Sequence, residues 1–145
     1  MKSRHRAREI ALQILYQYDV NLQGLVEPAP PHYKILGDLS RHYDHFNVPD
    51  TLREFVGQLV AGTLTEVKKL DELIEKHTTH WKISRMSSVD RCLLRMSAYE
   101  MLLLKQSPAS VVIDEAIELA KQFGTQDTPA FINGVLDSIR KAGQE

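Results

Sequence analysis

Ala7-Arg8-Glu9-Ile10-Ala11-Leu12-Gln13-Ile14-Leu15-Tyr16-Gln17-Tyr18 is the stretch from which the fold is read. Ala7, Ile10, Ala11, Ile14, Leu15 and Tyr18 recur at three- and four-residue steps, which makes one apolar stripe on an α-helix. Arg6, Glu9, Gln13 and Gln17 fall on its opposite face. Gly24 is expected to stop this helix, and Pro28, Pro30 and Pro31 forbid a regular element directly after it.

Working outward, residues 32–47 are polar and histidine-rich, and suggest at most a short helix around Tyr33, Leu36 and Leu39, interrupted by Gly37. Beyond Pro49 the pattern sharpens. Thr51…Glu54 and Thr63…Glu66 both have capping-box spacing, which predicts two helices joined near Gly62. Leu52, Phe55, Val56, Leu59 and Val60 form the first stripe; Leu64, Val67, Leu70 and Ile74 form the second. Ser87 or Ser88 can cap a further helix anchored by Val89, Leu93, Met96 and Leu104. Pro108 separates it from a helix over Val112 to Phe123, which closes at Gly124. Thr128-Pro129 opens a last helix through Phe131, Val135 and Ile139. About seven helices and no strand predict an all-α protein, organised as a single domain over residues 1–145.

The 145 residues suffice for one real core, and the formal net charge of -1 excludes a uniformly basic surface. A nucleic-acid site must therefore rest on local asymmetry. Lys2, Arg4, Arg6 and Arg8 supply it, all preceding the first acid, Glu9. With Cys92 the one cysteine, no disulfide framework or cysteine-cage zinc site can form, which fits a reduced, cytoplasmic setting. Gln13, Gln17 and Asp19 break the early apolar run, and no stretch approaches the ~18 apolar residues of a membrane span.

Catalysis finds no support. There is no phosphate-binding glycine motif and no nucleophile with a readable base, so neither an enzyme nor a cofactor is expected. His42…His45 and His77…His80 each pair two imidazoles on one helix face if both segments are helical, but no carboxylate or cysteine completes a metal site, and surface histidines are the expectation. Cys92, beside Leu93, Leu94 and Met96, reads as a packing residue. The arginine cluster is less ordinary, because cations at a helix start oppose the macrodipole. Arginine suits phosphate, and Tyr16 and Tyr18 further along the helix offer faces for base stacking. The other reading is a solvated basic tail, and composition alone leaves both open.

Arg4-His-Arg-Ala-Arg-Glu-Ile-Ala-Leu-Gln-Ile-Leu-Tyr16 resembles the opening motif of the NusB family. Ile113-Asp-Glu-Ala-Ile-Glu-Leu-Ala-Lys-Gln-Phe-Gly124, Asp127 and Phe131-Ile-Asn-Gly-Val-Leu-Asp137 supply a second match in the correct order. Arg91-Cys-Leu-Leu-Arg95 and Ala98-Tyr-Glu100 are similar to the family's central helix. The resemblance covers roughly residues 4–18 and 50–140 and implies two small helical subdomains packed across one another. It also implies binding of single-stranded boxA RNA together with NusE, the ribosomal small-subunit protein. That pair would join an RNA polymerase antitermination complex on ribosomal RNA operons.

Carried over by position, the resemblance assigns RNA binding to Arg4, Arg6, Arg8, Tyr16, Asp127 and Phe131, and places Lys2 and Asp90 near the RNA or protein surface. His5 stands where some relatives carry arginine, which would weaken binding or make it pH-sensitive. Read from the residues alone, Phe131 belongs first to the core, Asp127 to a turn or cap, and Asn133-Gly134 to a close helix contact. A homodimer hiding the arginines is compatible with the family. Two other classes remain: the NusB-like domain preceding the catalytic domain of ribosomal RNA cytosine methyltransferases, and a helical protein-binding scaffold. The end of the chain at Glu145, with no nucleotide-binding domain after it, favours the free-standing factor.

Overall fold

The apolar stripe of the first helix needs partners on two sides, and the rest of the chain supplies them. A computed structural model describes residues 2–21, 29–79 and 81–143, with Lys2 described by its backbone alone. Seven α-helices follow in order: α1 Lys2–Asn21, α2 His32–His45, α3 Asp50–Thr65, α4 Val67–Lys76, α5 Ser88–Tyr99, α6 Ala109–Phe123 and α7 Thr128–Gly143. A short 3-10 turn, Ile83–Arg85, precedes α5. No strand occurs among the described residues.

Helix α1 packs against α3 and α5, α2 lies on α3, and α6 and α7 pair with each other and with α5. Ala7, Ile10, Ala11 and Ile14 are wholly buried, as are Val56, Leu59, Val60, Leu93 and Leu94 opposite them. Fully burying one Leu or Ile side chain contributes about 1.5–3 kcal/mol, so this continuous cluster is the main force holding the helices together. Cys92 lies within it as a packing residue, its thiol pushed up to about 12 by burial and then by the charge of Asp19. No helix of the described residues is long and apolar enough to cross a membrane.

Charged side chains also enter the interior. Asp19 Oδ1 accepts from Arg91 Nε at 2.7 Å and Arg95 Nη1 at 3.2 Å, and Arg95 forks onto Asp71 at 2.7 and 2.9 Å. These pairs tie α1 and α4 to α5. After Tyr99 the helix widens into a π-turn over Glu100–Leu104, closed by Lys105 N–H donating to Glu100 C=O at 2.9 Å. Lys105 ends it in the left-handed region, φ 54°.

Several local expectations are corrected. Helix α2 is a full fourteen residues, because Ile35 and Leu39 anchor it and Gly37 simply faces open space. Tyr33 and Leu36 are exposed rather than anchoring, Tyr33 to 79%. Neither threonine capping box forms. Pro49 starts α3 without a side-chain cap, and Thr63 is buried within α3. Only Glu66 separates α3 from α4, while Gly62 leaves room for the Tyr99 ring, which a Cβ there would meet at 2.0 Å. The Ser87 cap does form, accepting from Asp90 N–H at 3.1 Å. Gly134 is exposed with nothing within 4 Å of a Cβ, so close packing is not its reason. The expected stop at Gly24, Pro28 and the second histidine of the pair at His80 lie outside the described residues.

Candidate nucleic-acid interface

Helical geometry separates the arginines of α1. Arg4 and Arg8, one turn apart, face the π-turn; Arg6, at 200° from Arg8 on a 100° wheel, shares the polar side with Gln13 and Gln17. Arg6 is exposed and pairs with Glu9. Arg4 is half-buried, donates to Ser107 Oγ at 3.0 Å and lies 4.3 Å above the Phe55 ring. Arg8 departs from the expectation of a surface cation. It is 3% exposed and forks onto Glu100, Nε to Oε1 at 2.8 Å and Nη2 to Oε2 at 2.6 Å. His5 meets Glu115 at 2.6 Å, and Gln122 donates to Glu9 at 2.8 Å, so α6 flanks the same helix start.

Tyr16, 42% exposed, lines an open groove of about 540 Å³ with Leu12, Gln13, Phe46, Val89 and Phe123. Tyr18 does not join it as a stacking face. It is buried, its hydroxyl donates to Asp38, and burial followed by that hydrogen bond raises its pKa.

A second groove, about 440 Å³, is formed where the 3-10 turn, the start of α5 and the start of α7 meet. Asp90, Asp127 and Phe131 all line it. Thr128 Oγ1 accepts from Thr125 N–H at 3.1 Å and donates to Asp90 Oδ1 at 3.0 Å, which pins one carboxylate oxygen at the α5 start. Gly124 permits this contact, since a Cβ there would fall 2.6 Å from Thr128 Cβ. Asp127 is exposed, and its carbonyl accepts from Phe131 N–H at 3.2 Å. Phe131 rests its partly buried ring on the core edge, which is the packing role expected first, while its rim stays in the groove.

Sequence reasoning missed Trp81 and Arg85 in this groove. Trp81 is 51% exposed and stands edge-on to Phe131, with centroids 6.4 Å apart and planes at 70°. An aromatic in the polar run Thr78-Thr79-His80-Trp81-Lys82, outside any helical stripe, was the available signal. Val89 lines the Tyr16 groove and Asp90 the Trp81 groove, so the two adjoin across the first turn of α5. Together they make an open surface with flat aromatic faces and carboxylate acceptors, and Arg85 lines its Trp81 side. No group of three or more metal-binding side chains occurs among the described residues.

The described residues are all-helical, and polar and aromatic side chains gather along two adjoining open grooves. The sequence matches the NusB family model over residues 5–141, and the chain belongs to the NusB family. It is 42% identical over 139 residues to the transcription antitermination protein NusB of Desulfatibacillum aliphaticivorans, covering 96% of this chain and 90% of that one. It is also 42% identical over 137 residues to the NusB protein of Bacillus licheniformis, covering 94% and 95%. A crystal structure of the antitermination factors NusB and NusE in complex with dsRNA superposes with TM-score 0.80 at 28% identity, covering 98% of each chain. Thermotoga maritima NusB superposes with TM-score 0.77 at 30% identity, covering 95% and 90%.

Proposed function

We propose that the chain, working as one non-catalytic unit, binds single-stranded RNA of the boxA type together with a NusE-type protein. In this reading the pair joins an RNA polymerase complex that resists termination on ribosomal RNA operons. The observation that carries it is the convergence of Trp81, Asp90, Asp127 and Phe131 in one open groove adjoining Tyr16. Flat aromatic faces stack on bases that are splayed out of a duplex, and carboxylates accept from base amino groups while repelling phosphate. This favours an unpaired strand, although the solved NusB–NusE complex holds dsRNA. Arg6, exposed on the side of α1 that carries Gln13, supplies salt-dependent attraction, and Arg4 adds to it from the helix start.

The test is a titration of boxA-type, scrambled and duplex RNA, each with and without NusE, at several salt concentrations. Tighter binding of the boxA strand, strengthened by NusE and falling steeply with salt, is expected. Equal binding of boxA and scrambled strands with NusE present would overturn the reading.

A further inference from the structure

His42 and His45 line a groove that the preceding reading leaves unused. It encloses about 740 Å³ between the last turns of α1 and one face of α2. Lys34 and Arg41 line it with them from α2, and Gln17 and Asn21 line it from α1.

One carboxylate and two permanent cations set its charge. Asp38 accepts from the Tyr18 hydroxyl, from Lys34 Nζ at 3.1 Å and from Arg41. Burial opposes its ionisation, but these hydrogen bonds and cations hold its pKa below the ordinary carboxylate value. Lys34 and Arg41 together outweigh Asp38 before either histidine takes a proton. Their side chains remain 55% and 75% exposed. An ammonium has three donors and a guanidinium five, so both keep donors for a second acceptor.

Gln17 and His45 line this groove and the Tyr16 groove alike, so the two are continuous. We propose that the α1–α2 groove is a second phosphate-binding subsite, which takes the backbone of the RNA strand as it runs past Tyr16 towards Lys34 and Arg41. The proposal rests on the RNA reading above. Continuity with the stacking surface favours the same strand over a separate acidic partner, and amide donors from Gln17 and Asn21 suit phosphate oxygens as well as cations do.

The experiment titrates the full chain with a short boxA-type strand and with the same strand carrying a few extra uridines at either end. The unsubstituted chain should bind one extended strand several-fold more tightly than the short one. Lys34→Gln with Arg41→Gln should abolish that gain, lower the salt slope on the extended strand by about 1 to 2, and leave the short strand's affinity as it was. Arg41→Gln alone keeps the Lys34–Asp38 pair and the Tyr18–Asp38 hydrogen bond that joins α1 to α2, and should lose part of the gain. A gain from neither extension, or one that the double variant keeps, overturns the subsite and leaves the RNA reading intact. With NusE present, a short strand bound no better than a scrambled one overturns the RNA reading and this subsite with it.

Discussion

Arg8 and Glu100, 92 residues apart in the chain, meet through two parallel hydrogen bonds in a site closed to solvent. Removing one partner of such a pair strands the other charge in low dielectric. Arg8→Ala should therefore destabilise the fold by about 3–5 kcal/mol, and Arg8→Lys should not restore it, because an ammonium cannot fork onto both oxygens. Arg6→Ala, at an exposed pair, should leave stability within about 0.5 kcal/mol while reducing the salt slope of RNA binding by about 1. Urea unfolding beside salt-dependent titration separates the two. An Arg8→Ala protein of full stability that has lost RNA binding would show Arg8 to be a contact residue instead.

Trp81 stands half-exposed against Phe131, so truncating it should weaken RNA binding with little effect on folding. Trp81→Ala is expected to lose about 1–3 kcal/mol of RNA affinity, and Trp81→Phe to keep part of it. Phe131→Ala should lower affinity and thermal stability together, since its ring also packs on the core. Equal affinity of the Trp81→Ala and unsubstituted chains would remove Trp81 from the interface.

Two glycines should respond in opposite directions. Gly134 lies inside α7 with open space around it, so Gly134→Ala should stabilise the protein by up to about 1 kcal/mol. Gly124→Ala would drive its methyl group into Thr128, breaking the hydrogen bonds to Asp90 and Thr125. Thermal melts should show a raised midpoint for the first and a lowered one for the second, with weaker RNA binding in the second alone.

Alkaline pH should probe Cys92. Its thiol is raised from an ordinary value near 9 to about 12, so the native state keeps a proton that the unfolded chain releases. The contribution is complete below pH 9 and is lost as pH rises from there towards 12. Cys92→Ala should thus show a shallower fall in stability between pH 8 and pH 10 than the unsubstituted chain, measured by urea unfolding. Identical slopes would count against the shift.

The stripe from Ala7 to Tyr18 was legible because burial on one side imposes a helical period on apolar residues. On the same wheel Arg8 lies beside Leu12 and Leu15, yet a cation reads as surface unless its buried acid is known, and Glu100 lies far along the chain. Tyr18 was ambiguous for the same reason, its partner Asp38 being on another helix. Helix α2 was hidden because Gly37 weakens local propensity while the Ile35 and Leu39 contacts that decide the matter are tertiary. The capping boxes misled because proline at position 49 starts α3 without them and α3 runs past Thr63. Asp90, Asp127 and Phe131 were named through family resemblance. Trp81, lying outside every periodic segment, acquires its place only when residues 81–90 meet the distant start of α7.

The Arg8–Glu100 pair also fixes an order of events during synthesis. Helix α1 leaves the ribosome before its partners, but its apolar stripe and its buried arginine both wait for α3, α5 and the π-turn. Until Glu100 has emerged, a nascent chain carries an oily helix with a charge in the middle of its sticky face, and the mid-chain must close onto its own beginning before either is satisfied. Ribosome-stalled chains should therefore be cut by protease within α1 when they end before Glu100, and resist once α5 and the π-turn are outside the tunnel. Protection of α1 in the shorter chains would mean that the first helix finds shelter from α3 alone.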